Sequence, residues 1–115
     1  MRVNHLHLMV PDVPAASAFF EKYFELHKAG GNAGLTVLVD DAGFVLTLMK
    51  IAARSATKDY PDNFHVGFFV ESEAHVDDIH RRMREDGLEV PAPRREHAYS
   101  FYVNAPGGVT VEVGA

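Results

Sequence analysis

The chain repeats itself. Asn4-His5-Leu6-His7-Leu8-Met9-Val10 and Phe64-His65-Val66-Gly67-Phe68-Phe69-Val70 can be laid on each other without a gap. Apolar residues at 66, 68 and 70 then fall on those at 6, 8 and 10, and each segment opens with a histidine on the opposite face. Apolar alternation with period two marks a half-buried strand. A chain that opens twice in this way is expected to build one small motif twice.

The segments after each strand agree. Pro11-Asp12-Val13-Pro14 breaks the first and opens a helix, with Asp12 as its cap. Phe19, Phe20, Tyr23, Phe24 and His27 recur at helical spacing from Ala15 to about Lys28, and Ala29-Gly30-Gly31-Asn32 is expected to end that helix. Leu35–Val39 and Phe44–Lys50 read as strands around the turn Asp40-Asp41-Ala42-Gly43. In the second half Val76, Ile79, His80 and Met83 predict a helix over Glu73–Asp86, closed by Gly87. Leu88–Val90 reads as a short strand before Pro91 and Pro93. Tyr99–Val103 and Val109–Val113 read as strands around Ala105-Pro106-Gly107-Gly108.

The predicted class is α+β: two βαβββ modules paired into a cup-shaped mixed sheet. Module one spans about residues 1–50, a linker about 51–63 and module two about 64–115, together forming a single domain. A half of about 50 residues is too small to bury its sheet face alone, so two modules, or four in a homodimer, are expected to pair.

Composition narrows the chemistry. Seven histidines and no cysteine rule out a disulfide scaffold, a thiolate nucleophile and a cysteine zinc site. A net charge of −5 with no basic block makes nucleic acid a poor partner. No apolar run approaches a membrane span and no signal peptide precedes the first strand, so a cytoplasmic protein away from the membrane is expected. Histidine is a common metal ligand, which makes the placement of the seven decisive.

Three of the predicted strands each have one apolar face and present His5, His65 or Glu112 from the other. For Glu112, set among Val109, Val111 and Val113, the plain alternative is an edge strand with its carboxylate in water. If the sheets curl into a cup, the three side chains converge as two imidazoles and one carboxylate, a ligand set that leaves open positions on a divalent ion. His7 shares the face of His5 and is a candidate substrate contact, additional ligand or general base, with a polar wall residue bonded to a neighbour as the alternative. Thr47, Ser100 and Tyr102 share the inward parity of their strands and are candidate substrate contacts, with ordinary strand filling as the alternative. His27, His75, His80 and His97 read as solvated helix or loop residues. Phe19, Phe20, Tyr23 and Phe24 read as core or dimer packing.

His5-Leu6-His7-Leu8-Met9-Val10-Pro11-Asp12, then Phe19-Phe20 and Phe24-Glu25-Leu26, resembles the opening of vicinal-oxygen-chelate proteins, His-x-x-Leu-x-Val-x-Asp, then Phe-Tyr and Leu-Gly-Leu. Phe101-Tyr102-Val103-Asn104-Ala105-Pro106-Gly107-Gly108-Val109-Thr110-Val111-Glu112 resembles the family's close, Phe-x-Asp-Pro-x-Gly-x-x-x-Glu. The superfamily covers glyoxalase I, extradiol dioxygenases, fosfomycin-resistance transferases and bleomycin-resistance proteins.

The resemblance implies a divalent metal ion (Fe, Mn, Zn, Ni or Co) on His5, His65 and Glu112. It implies a small oxygen-rich substrate and a lyase, transferase or dioxygenase reaction. Thr47 stands where glyoxalase I has a fourth, glutamate ligand, so the pattern is nearest to the fosfomycin-resistance transferases, with Ser100 and Tyr102 where those contact the phosphonate. Val113-Gly114-Ala115, which follow Glu112, hold no counterpart of the family's basic residue beyond the last strand. Its Asp before Pro is Ala105, and its Gly after the first helix is Glu25. The rival is a metal-free drug-sequestering protein of the bleomycin-resistance type, whose members typically lose the ligands retained here.

Overall fold

The computed structural model describes residues 1–52 and 60–115. Most of the expected linker, residues 53–59, lies outside the described residues. The chain forms two compact units, one built on the first four strands and the other on the last four.

In the first unit β1 (His5–Val10) leads into helix α1 (Val13–Phe24), followed by β2 (His27–Asn32), β3 (Leu35–Val39) and β4 (Val45–Lys50). Asp12 caps α1 as expected, its side chain accepting the Ala15 amide at 3.0 Å. Helical spacing places Val13, Ala16, Ser17, Phe20 and Tyr23 on a buried face. That face packs on β3 and β4. Leu38, Leu46 and Leu48 lie beneath it, each with no exposed surface. Phe19, Phe20 and Tyr23 are core residues, Phe19 meeting the other two rings edge-on.

The helix is shorter than its sequence pattern suggests. It stops at Phe24 because Glu25 adopts the left-handed conformation, φ 54°. Ala29-Gly30-Gly31-Asn32, expected to end the helix, instead lies in the fully exposed edge strand β2. An edge strand paired on one side tolerates such a sequence because its side chains need bury nothing. Gly31 is obligatory there: its φ is 108°, and a Cβ would sit 2.0 Å from the Leu35 carbonyl oxygen.

The second unit repeats the plan. β5 (His65–Phe69) leads to α2 (Glu73–Glu85), then β6 (Arg94–Arg95), β7 (Tyr99–Asn104) and β8 (Thr110–Gly114). Ser72 caps α2 through the His75 amide. Val76, Ile79 and Met83 form its buried stripe, which packs on β7 and β8. Residues 88–90 form no strand. The Leu88 amide is already committed to closing α2, bonding to the Met83 carbonyl. The short strand falls instead on Arg94–Arg95, past both prolines, where it pairs with Ser100 and Tyr99.

The two sheets have one strand order, β1-β4-β3-β2 and β5-β8-β7-β6. In each, the opening strand lies parallel to the last strand of its own unit. The expected repeat of βαβββ modules is therefore the architecture. One detail reaches the chemistry: β8 is interior to its sheet, between β5 and β7.

Candidate functional site

Glu112 sits on that interior strand. Its register partners are Gly67 on β5 and Tyr102 on β7. The edge-strand alternative for Glu112 is overturned: the side chain is 5% exposed. Burying a carboxylate costs several kcal/mol unless a partner offsets it, so its surroundings matter.

One oxygen faces a histidine. His65 Nε2 lies 3.6 Å from Glu112 Oε2. The other ring nitrogen, Nδ1, lies 2.9 Å from the Asn63 carbonyl oxygen. A carbonyl only accepts, so Nδ1 carries the hydrogen and donates it. In the neutral ring, Nε2 then turns a bare lone pair toward a carboxylate oxygen. Two electron-rich atoms face each other there unless a proton on Nε2 or a cation lies between them.

The other oxygen, Oε1, is buried without a hydrogen-bond partner. His97 Nε2 is 3.0 Å from it, a charge-pair distance but not a lined-up hydrogen bond. Local spacing puts His97 among the solvated histidines. Its ring is indeed 61% exposed, yet its tip reaches the buried carboxylate. No local pattern signals this, because the contact depends on how the bend after β6 folds beside β8.

Tyr102 completes the group. Its ring meets the His65 ring edge-on, with centroids 5.5 Å apart. Burial first, then the hydrogen bond to Glu112 and that carboxylate's charge, push the phenol above its ordinary pKa. It stays protonated and donates that proton to Glu112. Tyr102 also lines two hollows. One of about 330 Å³ is shared with Asn63, His65 and Thr110. The other, about 150 Å³, is shared with Arg94, Glu96 and the buried Ser100 among others.

His5, His7 and Thr47 belong to the first unit. His5 is exposed on β1, and its Nδ1 lies 2.8 Å from the Asn4 side-chain oxygen. That bond leaves its Nε2 bare in the same way as in His65. His7 and Thr47 are register partners joined by a 2.6 Å bond between Nδ1 and Oγ1. The second unit thus brings His65, Tyr102 and Glu112 together, with Ser100 beside Tyr102. The first unit pairs His7 with Thr47.

The remaining histidines have structural roles. His75 pairs with Glu71 at 3.4 Å across the start of α2. His80 packs edge-on against Phe101. His27 lies on β2, not on a helix, and faces Asp41 at 3.8 Å with both side chains exposed.

Among the described residues, no group of three His, Cys, Asp or Glu side chains forms a ready-made metal cage. The donor chemistry nevertheless fits a divalent ion. The second unit offers a buried carboxylate with an orphaned oxygen, facing an imidazole whose tautomer is set by a carbonyl. A metal-bound histidine is usually held in this way, its far N–H given to an oxygen acceptor.

Two βαβββ units of one topology, with a buried carboxylate on an interior strand facing a tautomer-fixed histidine, define a class of scaffold. The chain matches the family model of the glyoxalase/bleomycin resistance protein/dioxygenase superfamily over residues 2–113, and it belongs to that superfamily. It is 48% identical to a solved structure described as a possible glyoxalase from Bacillus cereus, with a TM-score of 0.91 over 100% of this chain and 99% of that one. A protein of Pseudomonas aeruginosa described only as uncharacterised is 33% identical over 121 residues, which is 96% of this chain and 85% of that protein. The genomically encoded fosfomycin resistance protein of Listeria monocytogenes superposes with a TM-score of 0.79 over 100% of this chain and 93% of its own; at 21% identity the likeness is one of fold.

Proposed function

We propose that this protein is a divalent-metal-dependent enzyme acting on a small, oxygen-rich substrate, with His5, His65 and Glu112 holding the ion. The observation that supports it best is Glu112: a carboxylate buried at the centre of a sheet, one oxygen orphaned and the other facing the bare Nε2 of His65. When bound, the ion supplies Lewis acidity to the substrate's oxygens.

The chain's own residues do the rest. The carbonyl of Asn63 and the side-chain oxygen of Asn4 hold the two imidazoles in one tautomer, Nε2 outward. Gly67, with no side chain, leaves space beside Oε2 of Glu112. Tyr102 keeps its proton in the hydrogen bond to Glu112, and it lines, with Ser100, the hollow where a polar substrate would sit. His7 and Thr47, bonded to each other, offer acceptor atoms to a polar substrate. The two modules act as a single domain and the working assembly is a homodimer.

Lyase, thiol-transfer and dioxygenase chemistries all suit this frame. The test begins with metal analysis of protein purified without chelator, comparing the wild type with His65→Ala. Bound divalent ion in the wild type and its loss in the variant support the proposal. A wild type that takes up no ion and behaves as His65→Ala does would overturn it in favour of metal-free sequestration. Methylglyoxal–thiol adducts, fosfomycin with thiols, and catechols then sort the reaction.

A further inference from the structure

Glu112 has two oxygens and two histidines, one to each. His65 takes Oε2 and His97 takes Oε1. Nothing in the proposed ligand set uses His97, and Oε1 is the one orphaned buried side-chain atom among the described residues.

His97 is held in place. It sits in the bend between β6 and β7, closed by a bond from the Glu96 amide to the Ala98 carbonyl. The strands on either side are paired through Arg94 with Ser100 and Arg95 with Tyr99. Arg95 ties the bend to α2 through Glu73 at 2.7 Å and lies over the Tyr99 ring. Tyr99 adds a second tie, its hydroxyl donating to Asp77 at 2.7 Å. The backbone is anchored while the imidazole is 61% exposed. A small turn of the ring brings an Nε2–H into line with Oε1 at the donor–acceptor distance already present.

We propose that His97 is a positioning residue for the metal centre: it donates to Oε1 of Glu112 and so fixes the carboxylate with Oε2 toward His65. This rests on the metal-dependent reading above. A buried carboxylate ligand with one free oxygen can rotate about its last bond. A donor on the outer oxygen removes that freedom, and partners that hold a metal ligand in this way typically change metal affinity about ten- to a hundredfold.

The test is competition of Zn²⁺ between the protein and a chromophoric chelator, for the wild type, His97→Ala, His97→Gln and His65→Ala. Expected is a weakening of about ten- to a hundredfold in His97→Ala, recovery to within about threefold of wild type in His97→Gln, whose amide also donates, and loss of binding in His65→Ala. The thermal midpoint of metal-free His97→Gln should match wild type, because its amide keeps a donor on Oε1. Affinity of His97→Ala equal to wild type overturns the proposal while the metal reading stands. So does a His97→Gln variant no better than His97→Ala, which would make His97 a direct ligand. A wild type without affinity for Zn²⁺ overturns the metal reading itself, and this inference with it.

Discussion

Thr47 and Glu112 hold the same ladder position in the two units. His5 is registered with Val45 and His65 with Thr110; two residues on, His7 is registered with Thr47 and Gly67 with Glu112. The repeat is therefore symmetric in backbone and asymmetric in chemistry. One unit closes the position with a hydrogen-bonded pair, His7 and Thr47 at 2.6 Å. The other leaves a carboxylate facing a glycine.

That glycine should be replaceable by alanine and not by valine. A Cβ at Gly67 would lie 3.9 Å from Glu112 Oε2 and 3.6 Å from the Phe69 ring, ordinary contacts both. The branched methyls of Gly67→Val would crowd Oε2. Divalent-ion affinity, read by calorimetric titration, is expected to fall at least about tenfold in Gly67→Val and to change little in Gly67→Ala. Thermal stability should hold or rise in both, since glycine weakens a strand interior.

Glu112→Gln should stabilise the metal-free protein. The change keeps the shape and removes a buried charge with an orphaned oxygen. Urea denaturation in the presence of chelator is expected to show a gain of about 1–3 kcal/mol. Adding Zn²⁺ should reverse the order: the wild type gains about 2.7 kcal/mol at a hundredfold excess over its dissociation constant, while the variant gains little. A metal-free Glu112→Gln less stable than wild type would show the carboxylate to be well satisfied.

Tyr99 and Tyr102 should titrate late. Tyr99 is held above the ordinary phenol value of 10.0 first by its bond to Asp77, and Tyr102 first by burial and then by Glu112. A phenol whose pKa is raised by folding binds its proton more tightly in the native state. Its contribution is present below about pH 10, the unfolded value, and is lost as pH rises through the native pKa. Ultraviolet difference titration of metal-free protein is expected to lose one late-titrating phenol in Tyr102→Phe. In Glu112→Gln, Tyr102 should titrate earlier than in the wild type.

Glu25 ends α1 with φ 54°, a conformation that glycine adopts without strain. Glu25→Gly is expected to raise stability by roughly 0.5–1 kcal/mol in urea denaturation. It should leave metal affinity unchanged. A loss of stability would mean that the Glu25 side chain has a packing or charge role.

The sequence pattern overshoots the end of α1 for the same reason. Phe24 and His27 keep helical spacing, but periodicity is blind to a single residue turning left-handed. The misplaced short strand has a similar cause: apolar Leu88 and Val90 look strand-like, while the Leu88 amide is consumed by the helix end. His80, which completes the spacing of α2, is legible as a helical position; its contact with Phe101 is not.

Local pattern alone is enough to write down the two modules, both helices and every strand but β2 and β6 to within a few residues, and the candidate ligands His5, His65 and Glu112. Alternating apolar residues, caps, turns and one motif written twice carry all of that. It takes the folded sheet to bury Glu112 on an interior strand, to set Gly67 beside it and to bring His97 to its second oxygen. Burial of a charge depends on which strands flank it, and strand order is set by pairings distant in the chain. The same valines beside Glu112 would read alike on an edge strand, where water would solvate the carboxylate and no cation would be needed.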